Sequence, residues 1–328
     1  MLKITIRFIM LVTSFVALQS CNSTDIIENN DIDPKLRKII SAKNDSLVTA
    51  MTTSNLQIYY ALESPEYKKH RQTSRVRPSN LFKKGILKQQ YKVYDEFLVT
   101  NTERYVETGV TSKKHGYTFT FRNDKPQSFV SLLKVTGYQF DSVIAVTYGL
   151  TDEGWKIYAV DAFGFGNWGL SSADYYRMEK QQDEKGFLIN AYIYARNASD
   201  LIDRSENVKL KWNERDDIVA YAKELEEEVY DKYTFPVVLH RVHTKPTIIR
   251  IEPRAILNEI VPGVSYYTNI SVTETEQLNQ EREVIKRELK NLFKKDMDLN
   301  ASILYRAYND PDGQGTGTYM VDKNKKSR

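Results

Sequence analysis

Residues 142–163 read SVIAVTYGL, TDEG and WKIYAVDAF. Two runs rich in β-branched and aromatic residues flank Thr151-Asp152-Glu153-Gly154, a turn whose glycine can take positive φ. The pattern predicts a β-hairpin. Along its second arm, alternation sets Trp155, Ile157, Ala159 and Asp161 on one face. Immediately upstream, Tyr117-Thr118-Phe119-Thr120-Phe121 alternates in the same way, and an apolar run over 129–135 follows Asn123-Asp124-Lys125-Pro126. Strands therefore cluster in this part of the chain.

Helical periodicity lies to either side. Over 34–69, Leu36, Ile39, Ile40, Leu47 and Met51 recur at helical spacing, and Leu56, Tyr59, Tyr60 and Leu62 continue beyond Ser54. Pro65 interrupts the run or starts a new turn. Downstream, Ser171 and Asp174 can form a capping box for a helix reaching 183. After Gly186 a second helix carries Leu188, Ala191, Ala195, Ala198 and Ile202. This pair resembles one tetratricopeptide unit, but no second copy follows at that period. The most regular helix spans 217–233, with Ile218, Ala222, Leu225 and Val229 on one side. Strands are expected at 237–242, 247–251 and 264–272, then a helix at 274–294 bearing Leu278, Ile285, Leu289 and Leu292. Two last strands, 302–308 and 316–321, are joined by Asp310-Pro311-Asp312-Gly313. Runs of strands with segregated helices define an α+β class.

Helices first, then antiparallel strands closing in a hairpin, is an order that resembles the NTF2-like cone over residues 34–165. The resemblance implies a sheet curled around helices with an apolar pocket inside. Relatives of that fold, ketosteroid isomerase among them, use a pocket acid as general base. It thus singles out Asp161 as the candidate catalytic carboxylate. A bulge near Ala162 and Gly164 would instead turn Asp161 to solvent. The expected domains are 34–170, NTF2-like, and 171–328, a helical pair with a second α+β domain.

Other motifs are weighed against their context. Gly164-Phe165-Gly166-Asn167-Trp168-Gly169 fits the dinucleotide fingerprint by spacing. Its strand belongs to an antiparallel hairpin, however, and Phe165 and Trp168 are bulky for a loop that must approach pyrophosphate. The glycines read as a path out of the sheet, with Trp168 as a packing residue and no nucleotide cofactor. Asp310-Pro311-Asp312-Gly313-Gln314-Gly315 resembles the start of a calcium loop, but the closing position falls on Val321 instead of a glutamate. His240 and His243, three apart on an expected strand, point to opposite faces, so no metal is expected. The basic segment 68–78 has no aromatics between Arg71 and Arg77, and the formal charge is only +4 over 328 residues. Nucleic acid is not an expected partner.

The chain begins with Lys3 and Arg7, a short apolar run over 8–18, and Leu18-Gln19-Ser20-Cys21. A charged start, compact core and small residues describe a secretory signal peptide, residues 1–20, too short to span a bilayer comfortably. Leu18 to Cys21 resembles the lipobox of bacterial lipoproteins. The resemblance implies cleavage before Cys21, the sole cysteine of the chain, and its lipidation. Asn22 in place of Asp implies the outer membrane. Residues 21–33, with Asp25, Glu28, Asp31 and Asp33, read as an acidic tether or a surface-export signal. The expected function is a lipid-anchored envelope protein that binds an envelope protein, small molecule or glycan. An extracytoplasmic hydrolase or isomerase using the pocket is the alternative.

Overall fold

The computed structural model describes residues 24–73, 91–102, 105–136, 140–205, 209–256 and 258–322. Among them the protein is α+β, with seven α-helices and a curled antiparallel sheet. Strands β1 (Asp25–Glu28), β2 (Tyr91–Thr100), β5 (Gln127–Val135), β6 (Asp141–Thr151), β7 (Gly154–Asn167) and β8 (Leu170–Ser171) are neighbours in that order. Strands β3 (Val106–Ser112), β4 (Tyr117–Asn123) and β9 (Leu210–Trp212) form a small second sheet. A third runs β10 (Val237–Val238), β11 (Thr247–Ile256), β12 (Glu259–Tyr267), β13 (Ile303–Tyr308) and β14 (Thr318–Asp322). The chain divides into two compact units. One comprises Met1–Ser112, Thr120–Leu133 and Ile144–Ala162, and the other Lys113–Phe119, Lys134–Val143 and Phe163–Arg328.

In the first unit, helix α1 (Pro34–Thr53) starts where Asp33 accepts the backbone N–H groups of Lys35 and Leu36, with Pro34 at the first helical position. It stops at Ser54, whose φ of 54° is left-handed. Ile40, Leu47, Ala50 and Met51 are buried, whereas Ile39 stays half exposed. The polar Asn44 lies inside with them because its amide is satisfied. It donates to Ser131 Oγ at 3.2 Å and accepts from the Tyr148 hydroxyl at 2.8 Å. Asn55 caps the short helix α2 (Leu56–Leu62), and α3 (Pro65–Thr73) begins at Pro65. The acidic stretch is more ordered than a tether. Asp25–Glu28 pairs antiparallel with β2, Glu28 opposite Phe97, and Asp33 is a helix cap.

In the second unit, Ser171 caps helix α4 (Ser172–Glu184) through the expected box, complete in both halves. Helix α5 (Leu188–Ser205) buries Ile189, Ala191, Tyr192, Ile193, Ala198 and Leu201. Its exposed side carries Arg196, ion-paired with Asp200 and Glu226, so the helix is amphipathic with a wide buried face. It packs on α4, on α6 (Arg215–Lys232) and on strands β11 and β12. Strands β12 and β13 pair in parallel, so the chain between them must cross over, and helix α7 (Thr275–Phe293) is that crossover. Strands β1, β2, β3 and β9 lie outside the expected ones, β11 runs on to Ile256, and two others shift. The segment at 237–242 keeps only Val237–Val238 as strand, and the 264–272 run instead spans Glu259–Tyr267. Prolines hid the latter. Pro253 and Pro262 face each other across β11 and β12, which confines the missing N–H donors to one rung of the ladder.

Candidate functional site

Cys21 lies outside the described residues. Asp161 sits in β7, half buried. The face it was expected to share is not uniform. Trp155 and Ile157 are buried, but burial then passes to Tyr158 and Val160, leaving Ala159 and Asp161 at intermediate exposure and Ala162 and Gly164 exposed. Asp161 lines neither of the two cavities described below.

The glycine segment resolves as a second hairpin. Gly166 pairs with Ser171 and Asn167 with Leu170, so two residues, Trp168 and Gly169, make the turn. Their φ values of 46° and 91° are both positive, as a type I′ turn requires. Trp168, expected as a packing residue, is half buried in this turn. Asp141 Oδ2 accepts the Gly169 N–H, and the Lys134 ammonium donates to the Gly169 carbonyl at 2.6 Å. Lys134 also stands 3.9 Å from Asp141 and lies over the Phe165 ring. Beside this clamp is a cavity of about 300 Å³ walled by Phe140, Phe165, Leu201 and the backbone of Gly164 and Gly166. The helix that follows begins on its own carboxylate, since Asp174 accepts the Ser171 N–H at 2.8 Å. A fingerprint loop would present that helix end to pyrophosphate.

The remaining motifs fold as turns. Asp310 accepts the N–H of Asp312 on its side chain and that of Gly313 on its carbonyl, and Gly313 has φ 64°. This is the Asx geometry of a hairpin turn. His240 and His243 are exposed in a turn, not on a strand, while the neighbouring Leu239 and Val242 are buried. Among the described residues no three His, Cys, Asp or Glu side chains are grouped as metal ligands.

The larger concavity, about 780 Å³, was not anticipated. It lies at the C-terminal end of α7. Its walls carry Lys286, Arg287, Lys290, Lys294 and Lys295 against two carboxylates, Glu283 and Asp298, with Phe187, Met297 and Leu299 as apolar lining. One carboxylate is paired outside the groove and the other is held within its wall. Glu283 is held by Arg282 at 2.5 Å, and Asp298 accepts the Asn300 N–H at 3.0 Å. The charge spacing was readable in the 274–294 helix, although its apolar stripe was the louder signal.

A second buried polar feature lies in α4. Glu179 is fully buried, and neither carboxylate oxygen has a hydrogen-bond partner. Burial pushes its pKa up to about 8, with Lys180 opposing and Asp183 adding to the shift.

No protein-family model, no curated protein and no solved structure matches the chain.

Proposed function

We propose that this chain is a lipid-anchored cell-envelope protein, held at the outer membrane through Cys21, which binds an anionic partner and does not transform it. The observation that carries the binding role is the cation-lined groove at the end of α7. Its side chains are suited to recognising negative charge, and it brings no nucleophile and base together. The lipobox-like Leu18-Gln19-Ser20-Cys21 supports the anchor. More than one acyl chain on Cys21 would make attachment stable, since a single chain binds only marginally. No described helix is long and apolar enough to cross a membrane.

The N-terminal part, 34–170, is proposed as NTF2-like, supported by three helices preceding a curled antiparallel sheet. Residues 171–328 are proposed as the binding domain. The alternative, a hydrolase or isomerase with Asp161 as general base, draws on the half-buried position of that residue in β7.

Metabolic labelling with a palmitate analogue, followed by membrane fractionation, tests the anchor. The wild-type chain should take up label and sediment with the outer membrane, and Cys21→Ala should do neither. A Cys21→Ala protein that loses its signal yet stays in the membrane fraction would overturn this reading.

A further inference from the structure

The groove at the end of α7 holds more positive charge than its surroundings neutralise. Lys286 is paired with Asp322, and Lys295 lies beside Asp296. Arg287, Lys290 and Lys294 are exposed and have no ion-pair partner among the described residues. Arg287 and Lys290 stand about one turn apart on the helix, and Lys294 is its C-cap residue, with φ 49°. Within the helix Lys290 has Lys286 and Arg287 one turn back and Phe293 ahead, while Arg287 also has Glu283 at i−4. Like charges at those spacings repel. A helix C-terminus favours some positive charge. One or two cations satisfy that preference, and the groove gathers five against the carboxylates of Glu283 and Asp298. The adjoining wall is apolar, formed by Phe187, Met297 and Leu299.

We infer that this groove binds the headgroup of a phosphorylated amphiphile. Phosphate oxygens lie on Arg287, Lys290 and Lys294, and the apolar portion lies against Phe187, Met297 and Leu299. Lysine serves phosphate as a mobile point charge, and arginine adds a bidentate fork. The size falls within the range of small-ligand pockets, about 300–1,000 Å³. The inference rests on the binding role proposed above. Its test is carried out on purified full chain in solution, so a failed anchor at Cys21 leaves it standing.

Titration calorimetry with soluble dihexanoyl phosphatidic acid is the direct measurement, with dihexanoyl phosphatidylcholine and tripolyphosphate as comparison probes. Phosphatidic acid should bind saturably, more weakly as salt is raised. The triple substitution Arg287→Gln, Lys290→Gln, Lys294→Gln should weaken binding at least about tenfold with the melting temperature unchanged. Removing the same charge elsewhere, by Lys92→Gln, Lys114→Gln and Lys223→Gln, should change it less than about twofold. Leu299→Ser should weaken phosphatidic acid but not tripolyphosphate. Lack of saturable binding, equal affinity for the choline lipid, or an equal loss in the control triple would overturn the inference. Tripolyphosphate binding as tightly as the lipid would assign the groove to free phosphate. Sedimentation with phosphatidylglycerol vesicles without binding of the short-chain lipid would indicate attraction to a surface. Either result would overturn the amphiphile assignment.

Discussion

A Cβ placed on Gly166 would come within 2.0 Å of the Leu170 carbonyl oxygen. Backbone, not a flexible side chain, is in the way. Gly166 is thus required for close approach across the β7–β8 hairpin, and its own φ is not in the left-handed region. Gly164, two residues earlier, has open space around it and an ordinary φ. Gly166→Ala should therefore lower stability by about 1–3 kcal/mol, as overpacking does, while Gly164→Ala should stay within about 0.5 kcal/mol. Urea denaturation of the two variants checks the contrast. Equal losses would show that the hairpin register is not as described.

The turn of that hairpin depends on Asp141. Its carboxylate is fully buried, takes the Gly169 N–H and faces the largely buried Lys134 ammonium at 3.9 Å. Removing it leaves the Gly169 N–H unsatisfied and takes away the carboxylate that faces Lys134. Asp141→Ala should cost about 3 kcal/mol, whereas Asp141→Asn should cost less because its amide oxygen can still accept. Thermal unfolding of both variants measures the difference.

The helices and most strands are legible in the sequence because their periodicity is local. The capping box at Ser171 and Asp174 is an example, since both partners lie within one turn. Elements whose cause is distant are less legible. Asn44 enters the core on bonds to Ser131 and Tyr148, 87 and 104 residues away, and no local pattern announces it. Burial along β7 changes phase after Ile157, which alternation alone cannot show, and this alters the setting of Asp161. The two-residue turn after Asn167 is hidden because Trp168 adopts positive φ, a conformation that bulky residues seldom take. The cations at the end of α7 were present in the letters all along. What the letters lacked was the wall formed by Phe187, Met297 and Leu299.

Glu179 should make the protein less stable as pH rises. Its folded pKa, about 8, exceeds its ordinary value of 4.5, so the folded state keeps a proton that the unfolded chain gives up. The stability is full below about pH 4.5 and declines through the window up to about pH 8. The slope approaches about 1.4 kcal/mol per pH unit at most. Glu179→Gln retains the shape without the titration. That variant should remove this part of the pH dependence and be more stable than wild type above pH 8, where the native carboxylate must ionise in the core. Chemical denaturation of both proteins across pH 4–9 provides the test. Parallel profiles would mean that Glu179 finds a partner when ionised.

Asp296 provides the opposite case. Burial favours its neutral form, but Lys232 at 2.5 Å and the Tyr233 hydroxyl at 2.5 Å outweigh that and hold its pKa below the ordinary 3.8. Its backbone carbonyl also accepts the Ile189 N–H at 2.8 Å, so the residue joins the ends of α6 and α7 to the start of α5. A depressed carboxyl contributes stability above its unfolded pKa and loses it as pH falls through the lower folded value. Asp296→Asn leaves the backbone bond in place and removes only the charge. It should cost about 1–3 kcal/mol at pH 7, the range for a buried charge-assisted hydrogen bond, and the difference from wild type should shrink below about pH 3.8. Lys232→Ala should cost less than about 1 kcal/mol, because the lysine side chain is half exposed and solvent screens the pair. Tyr233→Phe should cost about 1 kcal/mol through the lost hydroxyl. Urea denaturation of the three variants at pH 7 and pH 3 orders these effects. A lysine variant as damaged as the aspartate variant would place the stabilisation in the exposed ion pair, not in the buried hydrogen bond.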